Sequence, residues 1–169
     1  GAFTNDDTPS LLVTYADAHG VETDTLSVRV DDDDHTGLLT VESETAHGEL
    51  VTPLADGSHV VRAQVSDLTG NVGSATASFT VDTVPPSATL EAPAAFTHEA
   101  APAVILRWTD DGSGVDPAAV RILVDGADRT GLFAVDASGA TGVLELDPPL
   151  SDGSHEITPE LVDRATNPA

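Results

Sequence analysis

The sequence predicts an all-β chain made of two tandem sandwich domains, and three observations carry this. Short β-branched runs alternate with Asp, Gly and Pro turns along the whole chain. No stretch holds a helical period; only Pro117-Ala118-Ala119 hints at a single helical turn. The third observation is an internal repeat. Ala2-Phe3-Thr4 returns as Ala95-Phe96-Thr97, Val28-Arg29-Val30-Asp31 as Ile122-Leu123-Val124-Asp125, and Leu54-Ala55-Asp56-Gly57-Ser58-His59 as Leu150-Ser151-Asp152-Gly153-Ser154-His155, at offsets of 93, 94 and 96 residues. That period is too long for a solenoid unit and suits one small domain.

Taken in order, the first copy predicts strands near 10–16, 26–31, 38–43, 48–52, 59–66 and 74–82. The second predicts an edge strand near 87–92, then strands near 103–109, 120–125, 131–136, 142–147 and 154–162. His59–Ser66 and Thr76–Val81 alternate apolar and polar residues, as half-buried strands do. Asp125-Gly126 is a turn dipeptide, while Asp56-Gly57 and Asp152-Gly153 open the strands that follow them. The boundary falls at Asp82–Pro86, giving domains 1–84 and 85–169 joined by a short Pro-Pro linker. Two adjacent prolines donate no N–H and stiffen the backbone, so a semi-rigid hinge is expected. Trp108 falls where Tyr15 falls in the first copy, and a buried aromatic on that strand suits an immunoglobulin-like sandwich.

The segment from Leu54 to Pro86 carries a more specific pattern. It reads L-x-D-G-x-H over Leu54–His59, D-x-x-G-N over Asp67–Asn71, and F-x-V-D-T-x-x-P over Phe79–Pro86. This closely resembles the closing half of the bacterial immunoglobulin-like domains found in tandem on large surface proteins and adhesins. The second copy keeps Leu150, Asp152-Gly153, His155, Asp163 and Asn167, with Thr166 in place of Gly70. The resemblance implies two tandem immunoglobulin-like β-sandwiches and an extracellular or cell-surface setting. The first copy is expected to lack the opening strand that Ser87–Ala92 supplies in the second, and the second to lack the closing strand supplied by Thr76–Asp82. Either the chain is an excerpt of a longer array, or another chain completes the sandwich.

Composition narrows the partners. The formal charge is −23, from 29 Asp and Glu against six Arg and no Lys. Such a field repels nucleic acid and anionic lipid surfaces, so neither is an expected partner, and it attracts cations. Abundant Asp without Lys fits a salt-adapted protein and, equally, a high-GC genome. Cysteine is absent, which excludes disulfides and thiolate metal sites. No window has the apolar length of a membrane span. All three Asn-containing tripeptides fail the N-glycosylation pattern.

Catalysis finds no support in the sequence: no HExxH, GxSxG or P-loop pattern occurs, and Ser58-His59 and Ser154-His155 point to opposite faces of a strand. His59 and His155 read as strand-start residues. The serious chemical candidate is calcium, which takes six to eight oxygens. At the junction end of the second sandwich the sequence offers Asp82, Asp110, Asp111, Asp116, Asp163 and Asn167 as ligands of an interdomain calcium ion; Asp17, Glu22, Asp67 and Asn71 are their first-copy equivalents. The competing reading is that these side chains cap their own turns, as D-x-x-G-N can do without a metal. The run Asp31–Asp34 fits no EF-hand register, because Thr36 or Ser43 occupies a position needing Gly or an acid, and it reads as a charged hairpin turn.

A non-enzymatic spacer, stalk or adhesive segment of a multi-repeat surface protein is therefore expected, with neighbouring repeats or other copies of itself as partners. The alternative is a subunit of a filament or surface layer assembled by strand complementation. A carbohydrate-binding module would present exposed aromatics, and aromatic residues make up only 4% of the chain.

Overall fold

The computed structural model describes residues 2–169; Gly1, which opens the predicted first domain, lies outside the described residues. The chain divides into two compact units between Thr83 and Val84.

The first unit contains β1 (Ala2–Thr4), β2 (Ser10–Thr14), β3 (Val21–Val30), β4 (Asp33–Asp34), β5 (Thr40–Val41), β6 (Thr45–Glu49), β7 (Gly57–Asp67) and β8 (Val72–Val81). One sheet runs β1-β8-β7-β3-β4 and the other β2-β6-β5. Leu26, Val28 and Val30 alternate inward along β3, and Leu11, Tyr15, Ala46 and Leu50 meet them from the opposite sheet. This period-2 burial is what the Val/Leu-rich alternation of the sequence requires of a two-sheet core. The Tyr15 hydroxyl, 2.7 Å from the Glu42 carbonyl and 2.9 Å from that of Thr45, ties β2 to the β5–β6 turn.

The second unit contains β9 (Ser87–Ala92), β10 (Ala103–Thr109), β11 (Arg121–Val124), β12 (Ala127–Asp128), β13 (Phe133–Asp136), β14 (Gly139–Val143) and β15 (Ile157–Glu160). Its sheets run β13-β14-β10-β9 and β12-β11-β15. Val104, Leu106 and Trp108 project from β10 onto Ile122 and Val124 of β11, with Val115, Val120, Ala140, Leu144 and Leu161 around them. The chain is thus all-β, with an immunoglobulin-like sandwich in each unit.

The two units share local devices as well as strand order. After β4 and after β12 a single 3-10 turn, Thr36–Leu38 and Thr130–Leu132, lays a carbonyl across a facing glycine. A Cβ on Gly48 would stand 2.6 Å from the Leu38 oxygen, and one on Gly142 would stand 2.5 Å from the Leu132 oxygen. Glycine at these two positions is what admits the turn.

Several details differ from the sequence expectation. The strand expected at 142–147 begins at Gly139, because Asp136 closes a tight turn by accepting the Ser138 amide at 2.7 Å and so brings β14 directly back along β13. Residues 117–119 form a hydrogen-bonded turn from Asp116 to Ala119 and no helix. β1 was not anticipated: it runs parallel to β8, with Phe3 opposite Thr80. Its repeat counterpart Ala95–Thr97 forms no strand, and Phe96 stands 96% exposed. Among the described residues β2 pairs only with β6, and β15 pairs only with β11.

Candidate functional site

The predicted ligands fall into distinct environments. In the second unit β10 ends at Thr109 and the loop beginning at Asp110 turns across the end of the sandwich. Asp110 Oδ1 accepts the amides of Gly112 (3.1 Å) and Gly114 (2.6 Å), which folds the loop around its own carboxylate. This is the turn chemistry expected of an Asp-Gly-rich segment, since a short side chain can bond the backbone two and four residues on. The other oxygen, Asp110 Oδ2, is buried and accepts no hydrogen bond among the described residues.

Facing it is the turn that follows β15. Asp163 is 1% exposed; its Oδ1 accepts the Asn167 amide at 2.8 Å and its Oδ2 accepts the Asn167 side-chain NH2 at 2.7 Å. Thr166 supplies the left-handed residue of this turn, at φ +77°. The two loops are clamped together. Ser113 Oγ accepts the Ala165 amide at 3.1 Å, the Arg164 guanidinium donates to the Ser113 carbonyl at 3.0 Å, and the Arg164 amide donates to the Gly114 carbonyl at 3.0 Å. An oxygen of Asp110 and one of Asp163 consequently lie within 4.8 Å of each other. Asn167, also buried, lies against Asp163.

Asp116 and Asp111, also predicted ligands in the second unit, have other surroundings. Asp116 Oδ1 caps its own turn through the Ala118 amide at 3.0 Å, and Asp111 is exposed. Asp82 belongs to the first unit, where its amide donates to the Thr4 carbonyl at 2.9 Å and its side chain is buried.

The first-copy equivalents behave differently. Asp67 accepts four hydrogen bonds, from the amide and hydroxyl of Thr69 and from the amide and side chain of Asn71. The Asn71 side chain, then its backbone, then the Thr69 hydroxyl hold the Asp67 carboxyl far below the usual carboxylate range. Asp17 caps the His19 amide at 2.7 Å, and Glu22 is exposed. The D-x-x-G-N turn of the first unit therefore satisfies itself, as the sequence allowed. In the second unit's turn the amide and side chain of Asn167 donate to Asp163, and the half-buried Asp110 carboxylate lies beside it. The donor set is all oxygen, and a hard cation fits such a set.

One pair of side chains was missed by reading His59 and His155 as strand starts. His59 is buried against the Asp31 carboxylate, and His155 meets Asp125 in the same way. The signal was present in the repeat: each histidine recurs together with an aspartate that ends the strand beside it.

No helix is long and apolar enough to cross a membrane.

Comparison with known proteins agrees with the fold. The fibronectin(III)-like modules of CbhA from Clostridium thermocellum are similar over 99% of this chain and 84% of theirs, at 17% identity and a TM-score of 0.50. Murine CEACAM1b aligns over 96% of this chain and 87% of its own, at 14% identity and a TM-score of 0.43. No curated protein sequence matches the chain. Residues 2–83 match the family model described as a bacterial Ig-like domain. Domains of this kind are generally non-catalytic and typically occur in extracellular proteins. The first unit is thus similar to bacterial Ig-like domains, and the second unit repeats its sandwich fold.

Proposed function

We propose that the chain is a non-enzymatic spacer or stalk segment of an extracellular or cell-surface protein. The observation that carries this reading is one sandwich built twice along a single chain. Tandem copies of a fold add reach and display area without adding chemistry, and a fold alone assigns no reaction. The absence of Lys and the charge of −23 support it as well, because such a surface stays soluble and apart from its neighbours. Antibodies raised against the purified chain should label intact, unpermeabilised cells that produce the parent protein. Labelling that appears only after permeabilisation would refute the surface setting.

A calcium ion in the second unit is part of the same proposal, held by Asp110 and Asp163 with Asn167 beside them. Asp82 stays in the proposed ligand set on the sequence argument alone. A bound divalent ion would offset the repulsion between the buried Asp163 and half-buried Asp110 carboxylates and fix the two loops that carry them.

A second reading, assembly by strand complementation, draws on the outer edge of β15. A cleft of about 400 Å³ lined by Leu90, Leu144, Leu150 and Ile157 adjoins that edge. Pro159 lies within β15 and has no N–H to give an added strand, which weighs against this reading. Under strand complementation the mass in solution rises with concentration. A strictly monomeric, folded species at high concentration leaves the stalk reading alone.

A further inference from the structure

Each unit holds a histidine whose two ring nitrogens both face hydrogen-bond acceptors. His59 Nδ1 lies 2.5 Å from Asp31 Oδ2, and its Nε2 lies 2.7 Å from the Ala55 carbonyl oxygen. His155 Nδ1 lies 2.7 Å from Asp125 Oδ2, and its Nε2 lies 2.8 Å from the Ser151 carbonyl oxygen. The second oxygen of each aspartate is also used: Asp31 Oδ1 accepts the Val60 amide at 2.8 Å, and Asp125 Oδ1 accepts the Glu156 amide at 2.9 Å. Both aspartates sit in the left-handed region, at φ +50° and +49°, which aims their short side chains back across the turn.

A neutral imidazole has one N–H and one lone pair, so it can donate to only one of two acceptors. Its lone pair would then face an oxygen. The imidazolium donates to both. We propose that these are two pH-operated clips: the doubly protonated histidine fastens the loop leading into β7 or β15 to the turn after β3 or β11, and loss of one proton releases one of the two fastenings.

The surrounding charges are the following. Around the first clip, Arg62 reaches Asp32 at 2.6 Å and Arg29 donates to the Asp32 carbonyl at 2.9 Å, so two guanidiniums stand on the carboxylate side. On the β8 side the Phe79 ring lies 5.6 Å from the imidazole, and Asp56 in the loop is engaged with Thr83. Around the second clip, His98, Glu99 and Asp152 line the same cleft as His155, and Glu156 is its neighbour in sequence. Arg121 on β11 is occupied by Asp128 and Glu160.

Burial opposes charging His59, yet the Asp31 carboxylate and the Ala55 carbonyl outweigh it and hold its pKa above the ordinary imidazole value. The Ser151 carbonyl and then Asp125 raise that of His155. A raised folded value fixes the sign. The stabilisation is fully present below the unfolded imidazole value of about 6.5 and is lost as pH rises through the folded value.

The test is a ring-nitrogen NMR titration of the whole chain, run beside melting curves. His59 and His155 should titrate above the ordinary imidazole value of about 6.5, and both ring nitrogens of each should carry protons at about pH 6. Asp31→Asn and Asp125→Asn keep an acceptor and tolerate the left-handed backbone; each should lower the titration point of its own histidine only. The Tm advantage of the parent over the His59→Gln/His155→Gln double variant should shrink between about pH 6 and about pH 8.5. Titration of both histidines at or below about 6.5, or a Tm difference that does not change with pH, overturns the proposal.

Discussion

Trp108→Ala is expected to cost about 3–5 kcal/mol, the usual range for emptying a buried aromatic site. The indole is 3% exposed on β10 and packs in the one cluster that joins the two sheets of the second unit. A small domain has a total stability of only about 5–15 kcal/mol. In a domain of this size each kcal/mol moves Tm by roughly 4–8 °C. The first unit has its own core around Val28 and Val30, so its melting should be left nearly unchanged. Calorimetry should therefore show one transition displaced far downward and one retained. Trp108→Phe gives the finer test. The buried indole N–H has no acceptor among the described residues, so the native residue already carries an unmet donor. Phenylalanine removes that donor with part of the volume and should cost clearly less than alanine. Equal losses in the two variants would mean that the ring packing contributes little.

The same residue shows why the fold was legible in the sequence. Val104, Leu106 and Trp108 alternate with Ile105, Arg107 and Thr109, and a period of two over seven residues admits one register against a single core. β10 therefore occupies the predicted span. The hairpin of β13 and β14 was harder to place, since Gly139, Ala140, Thr141 and Gly142 offer little hydrophobic alternation to read. Its position depends on the Asp136–Ser138 turn and on Gly142 passing beneath a carbonyl, both of which are contacts in space. β1 escaped for a related reason: three residues carry no period, and parallel pairing with β8 joins the two ends of the unit. At the candidate site the sequence supplied the carboxylates but could not divide those that cap turns from those that face one another. Asp67 and Asp163 occupy the same place in the repeat. Burial and the loop opposite separate them, and neither is written in a D-x-x-x-N spacing.

Asp110→Asn is expected to change the sign of its effect with calcium. Asp110 and Asp163 bring buried carboxylate oxygens within 4.8 Å of each other. At that separation, with an effective dielectric constant of about 20, their repulsion is on the order of 3–4 kcal/mol. Asparagine keeps the oxygen that Gly112 and Gly114 bond, and places an NH2 donor where the second carboxylate oxygen stood. In chelator the variant should therefore melt at or above the parent temperature, because a like-charge contact becomes a hydrogen bond. In calcium the order should reverse. The parent gains about 2.7 kcal/mol when the free ion stands at a hundred times its Kd, and the variant loses most of that gain with one charged ligand. Monovalent salt at matched ionic strength supplies the control, since a charge of −23 is stabilised by screening alone. An equal rise of Tm in parent and variant on adding calcium would show that the ion acts on the general field and not at this carboxylate pair. A parent that gains nothing from calcium while Asp110→Asn is stabilised in every buffer would leave the pair as a source of strain, and Asp163 would keep only its role of holding the Asn167 turn.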